Sequence, residues 1–310
     1  MFGRVSAIAM NTYREAVRAR VLFGLLALAL ATSGYSLVIA AMSVRQEMRI
    51  VADIGAASIS FYAILVSVIL GATSLYRELE LKTIFPILTR RLRRHEYVVG
   101  KYLGILATLL AFVALDGATV LTILAVQSKQ HIGLTFGVLG ALVAALGVLL
   151  WRATYVRVFV VLPWSIVCFF VMSLLSDGAG SERQVVLVSA ALTLAEVTIV
   201  GAIAMVFSAF SSPFLTAIFT AFLFVIGRSA DTLANIPERM FGQTVRTLGM
   251  VLARIVPNLN LYVPPRPLLL GQLAAVPLAP YVAHAWLNAV FYAVLLLSLS
   301  AIVFRRRDFQ

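Results

Sequence analysis

Charge is what this sequence has least of. Only 12% of its 310 residues are Asp, Glu, Lys or Arg, where an ordinary soluble domain carries about 25%. Hydrophobic residues make up 62%, above the roughly 45–50% of soluble chains. Water does not solvate a surface this apolar. The composition therefore excludes a soluble globular domain and makes lipid the outer solvent. Cysteine is nearly absent too. Cys168 stands alone inside an apolar run, so no intrachain disulfide and no cysteine-based metal motif can form. The three histidines, His95, His131 and His284, lie far apart, and none has ligand spacing with another. Acidic residues are outnumbered, 13 against 25 Lys plus Arg, for a net charge of +12. In a soluble chain that excess would point to nucleic acid. Here no basic domain stands outside the apolar runs, and the excess reads instead as basic residues retained in cytoplasmic loops.

What is present is a series of long apolar runs, approximately 21–42, 54–76, 101–126, 132–150, 158–175, 185–210, 213–229 and 284–304. Several exceed the roughly 18–20 residues that cross a bilayer as helix. They must be helical, because a helix satisfies its own backbone polar groups in lipid, and the alternating pattern of a membrane barrel is missing. The expected fold is an all-α polytopic membrane protein, a single domain over 1–310 with about eight spans. Dropping 132–175, where Pro163 interrupts the second helix, leaves six spans and the same parity. Basic residues crowd the N-terminus, the loop from Arg77 to Lys101, the turn between Arg152 and Arg157, and Arg305 to Arg307. With an even number of spans these all fall on one side, and the positive-inside rule makes that side, with both termini, cytoplasmic.

Two segments outside the runs have helical periodicity. In 2–18, Arg4, Asn11, Arg14 and Arg18 share one face and Val5, Ile8, Ala9, Tyr13 and Ala16 mostly another. This reads as a helix in the headgroup plane, the alternative being an extension of the first span. Ala29-Leu30-Ala31 resembles a signal-peptidase site, but the apolar run continues to Met42, so a retained span is expected. The longest outer segment is 230–283. There Ile236, Met240, Phe241, Leu248, Val251, Leu252 and Ile255 recur at helical spacing until Pro257 stops them, and Pro264, Pro265 and Pro267 are expected to hold an extended stretch. Met42, Met48, Met240 and Met250 near this face read as membrane-facing residues rather than a soft-metal site. Trp151, Tyr155, Tyr281 and Trp286 near span ends read as interfacial anchors.

Two carboxylates fall inside spans, Asp116 and Glu196. Insertion of such a group costs about 2.5–3.5 kcal/mol, so it faces a partner or a cavity. Asp116, with Thr119 and Thr122 nearby, reads as a protonated carboxyl hydrogen-bonded to a neighbouring helix. For Glu196, flanked by Thr193 and Thr198, that reading and a polar patch in a substrate path or a proton site stay open. The sequence offers neither carboxylate an arginine or lysine inside the membrane.

The loop between the second and third runs, YRELELKTIFPILTRRLRRHEYVVG, is acidic first (Glu78, Glu80), then apolar (Ile84, Phe85, Ile87, Leu88), then basic. An apolar patch on such a loop suits either docking of a cytoplasmic partner or folding back on headgroups. From Glu78 to Gly104, with its E-x-x-x-K-T-x-x-x-x-L-T-R run and Gly100-Lys101-Tyr102-Leu103-Gly104, the chain resembles the permease subunits of the type-2 ABC exporter family. The likeness is to the branch associated with copper-enzyme maturation and gliding motility. Phe207-Ser208-Ala209-Phe210-Ser211-Ser212-Pro213 resembles that family's Ser-rich turn. Pro257-Asn258-Leu259-Asn260-Leu261-Tyr262, Gly271 and Phe304-Arg305-Arg306-Arg307-Asp308-Phe309 resemble its tail. Lys82 stands where the family has glycine, Arg90–Leu92 replace its proline region, and 130–182 adds two spans to its six.

The resemblance implies a permease in the bacterial inner membrane that pairs with a second permease copy, the same or related, and with two ATPase subunits. Loop 77–97 would be the coupling helix, with Glu78, Glu80, Thr83, Ile84, Phe85 and Leu88 seated on the ATPase. No G-x-x-x-x-G-K-[ST] pattern occurs in the chain. ATP and magnesium therefore belong to the partner, and this chain is expected to be no enzyme and to hold no cofactor or metal. Two alternatives stay open. One is a mechanical transmitter to an extracytoplasmic partner through 230–283. The other is a proton-coupled secondary transporter using Asp116 and Glu196. The substrate is not readable, because apolar linings suit lipids, hydrophobic peptides and drugs alike.

Overall fold

The computed structural model describes residues 2–43, 45–80, 94–130, 132–152, 157–272 and 277–306. Among them there is no strand, and the helices are α1 (Phe2–Arg18), α2 (Arg20–Ala41), α3 (Glu47–Glu80), α4 (Arg94–Gln127), α5 (Ile132–Arg152), α6 (Arg157–Leu175), α7 (Ser181–Ser208), α8 (Pro213–Arg228), α9 (Ala230–Ala234), α10 (Glu238–Ile255), α11 (Arg266–Leu269) and α12 (Leu278–Arg306). Seven of these, α2 to α7 and α12, are long and apolar enough to cross a membrane. The chain is a polytopic helical membrane protein.

Each expected run is a helix, but 213–229 does not measure up as a span. Its 16 residues in α8 rise about 24 Å at 1.5 Å per residue, short of a hydrocarbon core of about 30 Å. Pro213 opens the helix, and beyond Arg228 the chain turns through Ser229 into α9. The returning segment lies directly against the end of α8. A Cβ at Gly227 would stand 2.8 Å from the Pro257 carbonyl oxygen and 2.9 Å from Leu259 Cγ, so only glycine allows this approach. The hairpin over 132–175, in contrast, consists of two helices of sufficient length. Trp164 Nε1 donates to the Leu142 carbonyl across it at 3.1 Å, and Pro163 sits inside α6 without ending it.

α3 and α7 form the centre of the bundle. α7 is buried along most of its length, from Val185 to Ser208, while α5 and α6 stand at the periphery with few buried residues. Several buried serines bond backbone carbonyls across the helices. Ser67 Oγ donates to Val197 O at 3.3 Å and Ser300 Oγ to Met205 O at 3.0 Å.

At one end of the bundle α1, the end of α3, the start of α4 and the end of α12 meet. Ala19, with extended backbone (φ −66°, ψ 123°), separates α1 from α2. Thr12, Tyr13, Ala16 and Val17 of α1 are buried, and α1 lies against α4 at Gly100 and Gly104. A Cβ at Gly104 would fall 2.5 Å from Ala9 O, and one at Gly100 2.8 Å from Ile8 Cβ. Two glycines four residues apart thus let the backbones approach, as small residues do between membrane helices. Burial pushes the Tyr13 phenol up to about 12. Arg94 donates to Phe304 O at 3.3 Å, Tyr97 stacks on Phe304, and Lys101 Nζ donates to Ser74 O.

At the opposite end lie the starts of α3 and α7 and the segment 229–272. α10 is helical as the periodicity predicts but is kinked at Gly242 (φ 77°), and Leu248, Val251, Leu252 and Ile255 stay exposed. The proline-rich stretch is not extended throughout. Leu259–Tyr262 is a 3-10 turn, and Arg266–Leu269, with Pro267 in its first turn, is a turn of α-helix. Proline fits the first turn because the N–H it lacks has no partner there in any case.

Candidate functional site

The two intramembrane carboxylates lie on different sides of α3. Asp116 of α4, fully buried, accepts from Ser33 Oγ of α2 at 2.9 Å and from Ser58 Oγ of α3 at 3.4 Å. Thr119 and Thr122, near it in sequence, turn away and bond the carbonyls of Leu115 and Ala118 in their own helix, the usual local recourse of a helical threonine. Glu196 of α7 has a basic partner after all. Arg228, the last residue of α8, grips both oxygens, Nε to Oε1 at 2.7 Å and Nη2 to Oε2 at 2.8 Å, and Nη2 also reaches Ser60 Oγ of α3 at 3.1 Å. The Glu196 side chain is 0% exposed and that of Arg228 25%. The guanidinium carbon also lies 5.4 Å from the centroid of the Phe224 ring, a cation–π distance.

Sequence reasoning missed this pair because Arg228 closes an apolar run and looks like a flank. One signal was available. Arg228 is the sole Lys or Arg between Arg183 and Arg239, so it is the one cation that the chain offers near Glu196 in sequence. Its place at a helix C-terminus is also electrostatically favourable.

The exposed part of Arg228 faces a cleft of about 610 Å³ between α3, α7, the end of α8 and the returning segment 257–272. Ile64, Phe61, Val185 and Phe224 give it apolar walls, and Ser60, Ser189, Thr193 and Tyr262 supply hydroxyls. The volume lies within the ~300–1,000 Å³ of small-molecule sites. Over the cleft the returning segment is tied down at several points. Asn258 and Asn260 donate to the two Asp231 oxygens at 2.8 and 2.6 Å. Arg266 pairs with Asp53 of α3 and Glu182 of α7. Gln184 Nε2 donates to Leu269 O at 3.1 Å. Tyr262 O–H points to Ala285 O and Asn288 Oδ1 of α12 at 3.2 and 3.1 Å. Burial, with the Glu196 charge second, holds the Tyr262 phenol above its ordinary range, so it stays a donor.

The expected docking residues are not part of this site. Glu78 and Glu80 belong to the last turn of α3, and Thr83, Ile84, Phe85 and Leu88 lie outside the described residues. Among the described residues no group of three or more His, Cys, Asp or Glu side chains is placed to hold a metal. No protein-family model matches the chain, and no curated protein is significantly similar to it.

Proposed function

We propose that this chain is the membrane-spanning permease of an ATP-driven exporter of the type-2 ABC kind. In this reading eight membrane helices, with α8 reaching only part of the way, place both termini on the cytoplasmic side of a bacterial inner membrane. A second permease copy and two separate ATPase subunits complete the complex. ATP and magnesium are theirs, and this chain does no hydrolysis.

The observation that carries the reading is the pair of 34-residue helices framing 81–93. α3 and α4 each extend about 51 Å, beyond a hydrocarbon core of about 30 Å, and each runs unbroken from that basic segment to a polar cluster. α3 carries Ser58 to Asp116 and Ser60 to Arg228, and α4 carries Asp116 itself. Force applied at 81–93 is therefore delivered to the groups beside the cleft. ATP enters as a difference in affinity of the docked ATPase for two arrangements of these helices. The cleft, apolar-walled with hydroxyls and one arginine, is the place for the transported molecule. It lies at the end of an incomplete helix, as binding sites in broken-helix transporters do.

A second reading, a mechanical transmitter acting on an outer partner, draws on α10, whose exposed Leu248 and Ile255 lie in the segment that caps the cleft. The proton-carrier reading is weakened by the engagement of Glu196 at both oxygens.

The test is affinity purification of the tagged protein from its native membranes in mild detergent, with mass spectrometry of what accompanies it. A parallel sample carries Ile84→Asp and Phe85→Asp. The expected result is a Walker-motif ATPase with the native loop and its loss with the altered one. Folded protein without any ATPase partner refutes the exporter assignment.

A further inference from the structure

A second site lies at the other end of the bundle, where α1 bends into α2, and it is independent of the exporter reading. An apolar groove of about 330 Å³ runs between α2 and α3, lined by Leu22, Leu25, Val66 and Ile69. At its end Ala19, Leu70 and Thr73 also line a second, polar pocket of about 90 Å³, whose other walls include Thr12, Glu15, Ser74 and Lys101. The two cavities are therefore adjacent, with Ala19, Leu70 and Thr73 as their shared wall. The apolar groove thus lies beside a polar mouth that carries Lys101 and Glu15.

The level of this mouth follows from the helix bounds. Ala19 is the elbow and Arg20 begins the first span-length helix. The polar pocket thus stands where the hydrocarbon core begins, and the groove descends into that core. Ser74 Oγ is buried at the mouth, with no hydrogen-bond partner among the described residues. An unsatisfied buried hydroxyl is costly and rare in folded proteins. A turn of the Ser74 side chain, which lines the pocket, would bring the hydroxyl to a ligand oxygen there. Lys101, only 3% exposed, brings a positive charge beside it, its Nζ donating to the Ser74 carbonyl. Glu15, on the α1 side, accepts from Asn11 at 3.0 Å through one oxygen, and the other faces no donor from that residue.

We propose that this groove binds one glycerophospholipid of the adjoining leaflet, of the zwitterionic, ammonium-bearing kind. One acyl chain lies between α2 and α3 along Leu22, Leu25, Val66 and Ile69. The phosphate takes a hydrogen bond from Ser74 Oγ and the charge of Lys101, and the ammonium turns to Glu15. The lipid thereby joins α1, α2 and α3 at their common corner. Arg18 and Arg20 are exposed and are not among the residues lining the pocket, which is why an anionic headgroup is not the occupant assigned.

Native mass spectrometry of the purified full chain, titrated with phosphatidylethanolamine or phosphatidylglycerol of the same acyl chains, tests this. One phosphatidylethanolamine is expected to stay bound through delipidation, with at least tenfold preference over phosphatidylglycerol. Ser74→Ala removes only the orphan hydroxyl and leaves the fold intact. It should weaken retention several-fold, as should Leu22→Trp, which fills the groove. Lys101→Met should abolish retention. Equal retention of the two lipids, or retention unchanged in both Ser74→Ala and Leu22→Trp, overturns the assignment.

Discussion

Removing Arg228 alone is expected to cost more than removing it together with its partner Glu196. Glu196 has no exposure and depends on Arg228 for two of its hydrogen bonds. In Arg228→Met the carboxylate is left buried with no cation, a change that costs about 3–5 kcal/mol when one partner of a buried pair is deleted. Glu196→Gln is milder. The stranded guanidinium is 25% exposed to the cleft and keeps Ser60 and Phe224, so a loss of about 1–3 kcal/mol is expected, the range for an unsatisfied buried group. In the double variant neither charge remains. An ion pair replaced by neutral side chains of similar volume is often close to neutral, so its loss should fall below that of Arg228→Met alone. The assay is reversible unfolding of purified protein in mixed micelles for the native chain, both single variants and the double. The reasoning is refuted if the two single losses add to within about 0.5 kcal/mol in the double, the behaviour of independent sites. It is also refuted if Glu196→Gln proves the costlier single change.

Two further outcomes follow from contacts elsewhere. Gly104→Leu places a side chain where Ala9 O and Thr12 Cβ already stand within 2.6 Å of a Cβ. It should detach α1 and destabilise the chain by about 1–3 kcal/mol, the usual cost of overpacking, read from reversible unfolding in mixed micelles. Arg266→Ala severs the ties to Asp53 and Glu182, both partly exposed. Global stability should fall by less than about 1 kcal/mol, while a cysteine at Thr193, inside the cleft, should react faster with a polar thiol reagent.

The helices were legible because a bilayer imposes one length and one composition on every span, and runs such as 101–126 and 185–210 satisfy both. What hid the character of α8 is that hydropathy carries no depth. The run 213–229 is apolar but for Arg228, yet Pro213 and Arg228 bound it at 16 residues, and chain that returns 30 residues after Gly227, at Pro257 and Leu259, packs against its end. The two carboxylates stood out as the charges inside apolar runs, and their partners did not. Arg228 is 32 residues from Glu196, and Ser33 and Ser58 are 83 and 58 residues from Asp116, separations that no local pattern reports. Proximity in sequence suggested Thr119 and Thr122, and the backbone of their own helix claimed them.

Serine is what joins the two clusters, and in an apolar run serine attracts no notice. Ser58 and Ser60 are two residues apart, which at 3.6 residues per turn sets them about 200° apart around α3. One hydroxyl therefore faces Asp116 and the other Arg228, on nearly opposite sides of a single helix. A sideways displacement of α3 that shortens the Ser58–Asp116 contact, already long at 3.4 Å, must lengthen the Ser60–Arg228 contact of 3.1 Å. The two hydrogen bonds cannot both be optimal for every position of α3, and the one nearer the cleft is now the shorter. Ser58 and Ser60 thus tie the two faces of α3 to the two carboxylate clusters. α3 runs on to Glu80, so in the proposed exporter a partner that displaced this end of the helix would alter how firmly Arg228 is kept on Glu196.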